Sequence, residues 1–119
     1  MMGAFPSMLP QAEVLIVEQA KISGYLLDLD HKEGGAKAKF FLKRGFTPNA
    51  WEAMAEALRE HGRTQPVTET RETRETRFGR KFTVECQLTT PDGRNPCILT
   101  AWIQEGARPP RLVTAHPNH

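Results

Sequence analysis

No apolar run in this chain approaches the roughly 20 residues that a membrane-spanning helix needs. The opening MMGAFPSMLPQAE has no basic stretch ahead of an apolar one, so it does not read as a secretory signal. Both absences point to a cytoplasmic chain with no membrane partner. Cysteine is scarce: Cys86 and Cys97 are too few for a disulfide scaffold, and no CxxC or close Cys/His pairing points to zinc. No carboxylate cluster calls for another ion, so neither metal nor cofactor is expected. Nor does one sign of charge dominate. Sixteen basic and fourteen acidic residues leave a net charge of +2. That balance neither demands nor excludes nucleic acid, because a local patch matters more than the total.

What remains is a chain of 119 residues, enough for one domain with a modest core. Residues 1–12 carry Pro6 and Pro10 without periodicity and read as a flexible tail, leaving 13–117 as a single domain. Val14 to Val17 begin as a short strand, after which Ile22, Tyr25, Leu26 and Leu29 recur at helical spacing. A second helix follows Gly34 and Gly35. Ala38, Phe41 and Leu42 share its apolar face, Lys39 and Lys43 point away, and Gly45 closes it. A third starts at Thr47-Pro48 and buries Trp51, Met54, Ala55 and Leu58. His61-Gly62 ends it, with His61 placed to favour the helix dipole and given no catalytic role.

After Pro66 the pattern changes. VTETRETRETRF alternates β-formers with charges and has no apolar face, so 68–77 reads as an exposed edge ribbon. Strands over 81–89 and 96–104 flank Asp92-Gly93, a strong short-range hairpin signal. A two-residue loop there sets Leu88 against Cys97, Cys86 against Leu99, Val84 against Ala101 and Phe82 against Ile103, all on one core face. The cysteines then lie diagonally, roughly 7–8 Å apart and beyond comfortable disulfide reach. The opposite face carries Thr100 and Trp102 and is either plain solvated surface or the floor of a cleft. A last strand spans 111–116. In one register Val113 and Ala115 face the core while Leu112, Thr114 and His116 join the polar face; the other buries Leu112 and Thr114 and turns Arg111 outward.

The stretch DHKEGGAKAKFFLKRG, 30–45, carries the chemistry. A helix start presents unpaired amides and glycines allow close approach, so Gly34 and Gly35 form a candidate anion site with Lys37 as a point charge beside it. The plain alternative is a two-glycine loop leading into an ordinary helix. His31 and Lys37 can meet Thr100, Thr114, His116 and Arg111 across a groove between helices and sheet. Imidazoles suit proton transfer near neutral pH, cations stabilise a phosphorane, and hydroxyls orient phosphate.

The motifs YLLDLDHKEGGAKAKFFLKRGF, W-x-x-M-A-E-A-L-R-E-H, LTTPDGR, T-A-W-I and PRLVTAHP resemble an uncharacterised family of small bacterial, toxin-like domains. The resemblance runs from about Val14 to Pro117. In layout the family is similar to the barnase/EndoU/colicin/RelE-like metal-independent ribonucleases. It maps the helical motif onto His31, Gly34, Gly35, Lys37 and Phe40, and the sheet motif onto Thr100, Trp102, Arg111 and Thr114. Two positions depart: Lys32 stands where a proline is expected, and His116 where an aromatic is expected.

The expected fold is α+β, two to three N-terminal helices on one face of a C-terminal antiparallel sheet of about four strands. The expected function is a ribonuclease toxin of a toxin–antitoxin or related conflict system. It would use His31, Lys37, Thr100, Arg111, Thr114 and His116 catalytically and Gly34, Gly35 and Trp102 to hold RNA, with a small antitoxin or immunity protein as partner. A non-enzymatic protein-binding module and a phosphate or nucleotide binder are the alternatives.

Overall fold

A computed structural model describes residues 8–73 and 79–118. The helical half begins with a 3-10 turn, Ala12–Val14, and a short helix, α1 (Gln19–Lys21), that widens into a π-helical turn over Ile22–Leu26. The Leu27 amide bonds the Ile22 carbonyl at 2.8 Å, five residues back. Helix α2 (Gly35–Lys43) and helix α3 (Trp51–Thr64, entered through a 3-10 turn at Pro48–Ala50) follow. Four antiparallel strands complete the chain in sheet order: β1 (Val67–Thr73), β2 (Gly79–Gln87), β3 (Cys97–Glu105) and β4 (Arg111–Pro117). The α+β expectation is met. No helix among the described residues is long and apolar enough to cross a membrane.

The helices pack as their apolar spacing requires. Ile22 and Leu26, Ala38 and Phe41, and Met54, Ala55 and Leu58 are buried, while Lys39 and Lys43 are exposed. Leu29, expected in the first stripe, is 59% exposed, because the helix ends before reaching it. Packing starts earlier than Glu13. Leu9 is in the core, and the Gln11 side chain bonds the Ala107 carbonyl at 3.1 Å, so residues 8–12 are not a tail. Val14–Val17 forms no full strand; Ile16 alone bridges to Arg111 in parallel on the outer edge of β4.

The β2–β3 hairpin corrects the predicted register by one residue. Phe82 pairs with Trp102, Val84 with Thr100 and Cys86 with Ile98, and the connection spans 88–96 instead of two residues. Pro91 explains the difference. It places Asp92-Gly93 at the third and fourth positions of a turn from Thr90, closed by the Gly93 amide on the Thr90 carbonyl at 3.0 Å. Asp92 and Asn95 then tie the loop to itself through Thr90. Asp92 also pairs with Arg44 at 3.3 Å, at the end of α2.

The slip exchanges the faces of β3. Ile98, Thr100 and Trp102 turn towards the helices and are fully buried; Leu99 turns away. Thr100 and Trp102 therefore belong to the core and not to a polar surface. Trp102 Nε1 donates to Thr100 Oγ1 at 2.8 Å, satisfying the indole inside the core. The same slip brings Cys86 and Cys97 to a Cα separation of 4.2 Å, and they form a disulfide. In β4 a bulge at Val113 separates two registers. Leu112 and Ala115 both reach the core, so each predicted register holds for half of the strand. Of the charged ribbon, Thr68 to Arg71 are exposed on the edge strand β1, as expected; residues 74–78 lie outside the described residues.

His61 is not at a solvated helix end. Helix α3 runs on to Thr64, and His61 is 1% exposed, with Nδ1 3.1 Å from the Gln87 carbonyl and Nε2 3.4 Å from that of Val84. Burial pushes its pKa below the usual histidine value, outweighing the two carbonyls that raise it. The unfolded chain takes up this proton near pH 6.5, roughly, and the folded chain only lower. Stability from this site is full above that pH and falls as pH drops from there through the folded value. Urea midpoints measured against pH should show this slope, and His61→Gln should flatten it; equal slopes in both proteins would refute the assignment.

The disulfide closes a loop with a sequence separation of 11. Reduction should cost about 3 kcal/mol on the chain-entropy account. Urea unfolding with and without a dithiol reductant measures this, with Cys86→Ser/Cys97→Ser as the control that should no longer respond.

Candidate functional site

The helical half meets β4 through α1 and α2, and three polar side chains converge there. The Val113 bulge turns Thr114 away from the core. Tyr25, on the π-helical turn, places its phenol oxygen 2.9 Å from Thr114 Oγ1. From the first turn of α2, Lys37 Nζ donates to the Tyr25 oxygen at 2.6 Å and to Thr114 Oγ1 at 3.1 Å. Lys37 Nζ is also 5.0 Å from the centre of the Tyr25 ring, and Lys21 Nζ is 5.4 Å from it. His31 meets the same ring edge-on, with centroids 4.9 Å apart.

The two glycines make this closeness possible. A Cβ on Gly34 would lie 2.7 Å from the Tyr25 ring and carbonyl oxygen, and one on Gly35 would lie 2.8 Å from the Leu29 carbonyl oxygen. Gly34-Gly35 thus seats the start of α2 against Tyr25. The amides of Glu33, Gly34 and Gly35 are already engaged. Glu33 and Gly34 donate to His31 Nδ1 at 3.0 Å each, and Gly35 donates to the His31 carbonyl at 3.0 Å. With Nδ1 accepting two amides, a neutral His31 carries its proton on Nε2 and offers it as a donor.

Tyr25, His31, Lys21 and Thr114 line an open cleft of about 580 Å³, with Glu18 and Glu33 among its other lining residues. Lys37 is not a lining residue; it acts on the cleft through Tyr25 and Thr114. Burial raises the Tyr25 pKa. Hydrogen bonds from Lys37 and Thr114, with the charges of Lys37 and Lys21, outweigh burial and hold the phenol below its ordinary value. A phenol so held gives up its proton more readily than an ordinary tyrosine.

Of the residues singled out in the sequence, the structure brings His31, Lys37 and Thr114 together, with Gly34 and Gly35 behind them. His116 is two residues beyond Thr114 and lies with it beside a second depression; its Nδ1 is 3.0 Å from the Pro117 carbonyl. Arg111 is paired with Glu105 at 3.1 Å and does not line the cleft. Thr100 and Trp102 are on the opposite, buried face. Sequence reasoning missed Lys21 and, above all, Tyr25. The signal was there: a tyrosine at the border of an apolar stripe has a hydroxyl that needs a partner.

Residues 8–119 match the family model described as Domain of unknown function (DUF6883). The chain belongs to this family. No curated protein and no solved structure matches it. In this family member, no group of three or more His, Cys, Asp or Glu gathers closely enough to hold a metal ion among the described residues.

Tyr25 is the only tyrosine in the chain, so its ionisation can be followed by ultraviolet difference absorbance. The phenol should titrate below the ordinary tyrosine range. Lys37→Met removes the donor and its charge while leaving the burial, so it should move the midpoint upward. An unmoved midpoint would dismiss Lys37 as the cause.

Proposed function

We propose that the Tyr25–Lys37–Thr114 site cleaves RNA by transesterification. The observation that carries the reading is the 2.6 Å hydrogen bond from Lys37 to a phenol that lines an open cleft. Tyr25, as phenolate, takes the proton of a ribose 2′-hydroxyl. The 2′-oxygen bonds to phosphorus as the bond to the 5′-oxygen breaks, leaving a cyclic phosphate and a 5′-hydroxyl. The leaving oxygen draws its proton from solvent, to which the cleft is open, and Tyr25 returns its own there. Lys21 and the His31 Nε2–H hold the phosphate oxygens, where charge builds up in the transition state. Lys37 and Thr114 keep Tyr25 oriented and ionised; Lys37 is a positioning residue.

The setting in a conflict system, with cytoplasmic RNA as target and a small antitoxin or immunity partner, is supported by the motif resemblance. The site's own hydrogen bonds involve no cysteine, so the reading does not depend on the state of the disulfide. A non-enzymatic phosphate-binding module is the second reading, favoured by Lys21 and His31 on one cleft with Lys37 behind Tyr25 and Thr114.

Purified protein should cleave single-stranded RNA, with a rate that rises with pH through the Tyr25 ionisation. Tyr25→Phe should lower the rate on the order of 10²–10⁴. Lys37→Ala should lower it on the order of 10²–10³ at neutral pH and shift the rising limb to higher pH. Intact RNA with the wild type, together with phosphate binding that Lys37→Ala weakens, would favour the binding module. Cleavage undiminished in Tyr25→Phe would reject the site.

A further inference from the structure

The helix-free face of the sheet is laid out in rows by its register. Glu69, Thr83, Ala101 and Thr114 stand side by side across all four strands. On one side of this row run Arg71, Lys81, Ile103 and Arg111. On the other side run Glu85, Leu99 and His116. Thr83, Ala101 and Thr114 are short and their flanking neighbours are long, so the middle row is the floor of a trough. A depression of about 190 Å³ lies there, bordered by Arg71, Lys81 and His116. Thr114 lines both this depression and the cleft that holds Tyr25 and His31. The two hollows meet at one residue.

We infer that the trough holds the nucleotides flanking the scissile phosphate, so that the ligand is a single RNA strand running from the cleft across the sheet. The inference rests on the RNA-cleaving reading of the Tyr25 site. The charge of the trough favours an anionic occupant. Arg71 and Glu69 neutralise each other at 2.9 Å, which leaves Lys81, in no ion pair among the described residues, as the net charge on the border; in the adjoining cleft Lys21 and His31 stand beside Glu18 and Glu33. The flanking rows are four residues apart along β2 (Lys81 and Glu85) and β3 (Leu99 and Ile103), roughly 13 Å, which suits one nucleic-acid strand and not a duplex. Trp102 is buried on the other face, and among the described residues the trough is lined by no Phe, Tyr or Trp, His116 being its one ring. Contact is therefore chiefly with phosphate and ribose, giving little base preference and a steep dependence on salt.

The test uses a fluorescent single-stranded DNA decamer, which lacks the 2′-hydroxyl and stays intact, with fluorescence anisotropy as readout. Lys81→Glu should weaken binding about tenfold, and Lys81→Ala should make the salt slope shallower by about 0.7. Both variants should keep the wild-type circular dichroism, since Lys81 is exposed. With RNA, the wild type should cleave a decamer faster than a dinucleotide, and Lys81→Ala should narrow that difference. Lys81-dependent decamer binding without cleavage would uphold the trough and overturn the catalytic reading. Dinucleotide cleavage with no gain from length would do the reverse. No decamer binding, binding indifferent to Lys81, or capture of polyglutamate in place of the decamer would each overturn the inference.

Discussion

The packing of Trp102 against Gly62 holds the two layers of this protein together. A Cβ on Gly62 would lie 2.8 Å from the indole and 2.9 Å from Leu15, so α3, the sheet and the N-terminal segment close on one another at this point. The indole is fully buried, and its single polar atom is satisfied by Thr100 on the same strand. A large aromatic with no unpaired polar group contributes much of the favourable burial in a core of this size. With the layers fixed here, Leu15 is held in the core and Ile16 can bond the β4 edge, its amide to the Pro110 carbonyl and its carbonyl to the Leu112 amide. The chain that leaves Ile16 then delivers α1 beside β4.

The site follows from that placement and from two local departures from regular structure. The π-helical turn at Ile22–Leu26 widens the helix where Tyr25 projects, and such turns are frequent at functional sites. The Val113 bulge lets Leu112 and Ala115 both enter the core, which leaves Thr114 facing outward between them. Gly34 removes the one Cβ that would hold the Tyr25 ring away from α2. Each departure loses some regular backbone bonding or conformational freedom, and together they bring a phenol, an ammonium and a hydroxyl into mutual hydrogen-bond reach. In the same region His31 ties down the Glu33–Gly34 turn ahead of α2 with one ring nitrogen and leaves the other available to the cleft.

Much of this was legible in the chain itself. The spacing of Ala38 and Phe41, and of Met54, Ala55 and Leu58, marks helices whose buried faces the structure confirms, because a 3.6-residue period leaves one stripe facing the core. The charged edge strand and the order of helices before strands were equally readable. So was the meeting of His31, Lys37 and Thr114, since each sits at a polar break in an apolar pattern. The hairpin register was not. Asp-Gly is a local signal, and its meaning depended on Pro91 and on Asp92 reaching Arg44 at the end of α2, a contact distant in sequence.

That one-residue slip decided more than any other feature. It sent Thr100 and Trp102 into the core, joined Cys86 to Cys97, and left Thr83 and Ala101 as the floor of the open face, because alternation in a strand moves every side chain at once. Tyr25 was hidden for a related reason. Its place in an apolar stripe describes its ring, whereas its hydroxyl has meaning only once Lys37, twelve residues away, and Thr114, eighty-nine away, are brought to it. Sequence by itself determined which segments form elements and which faces they bury, since those depend on neighbours along the chain. Tertiary structure alone decided which polar atoms meet, since hydrogen bonds at 2.6–3.1 Å depend on a register and a bulge set by packing across the fold.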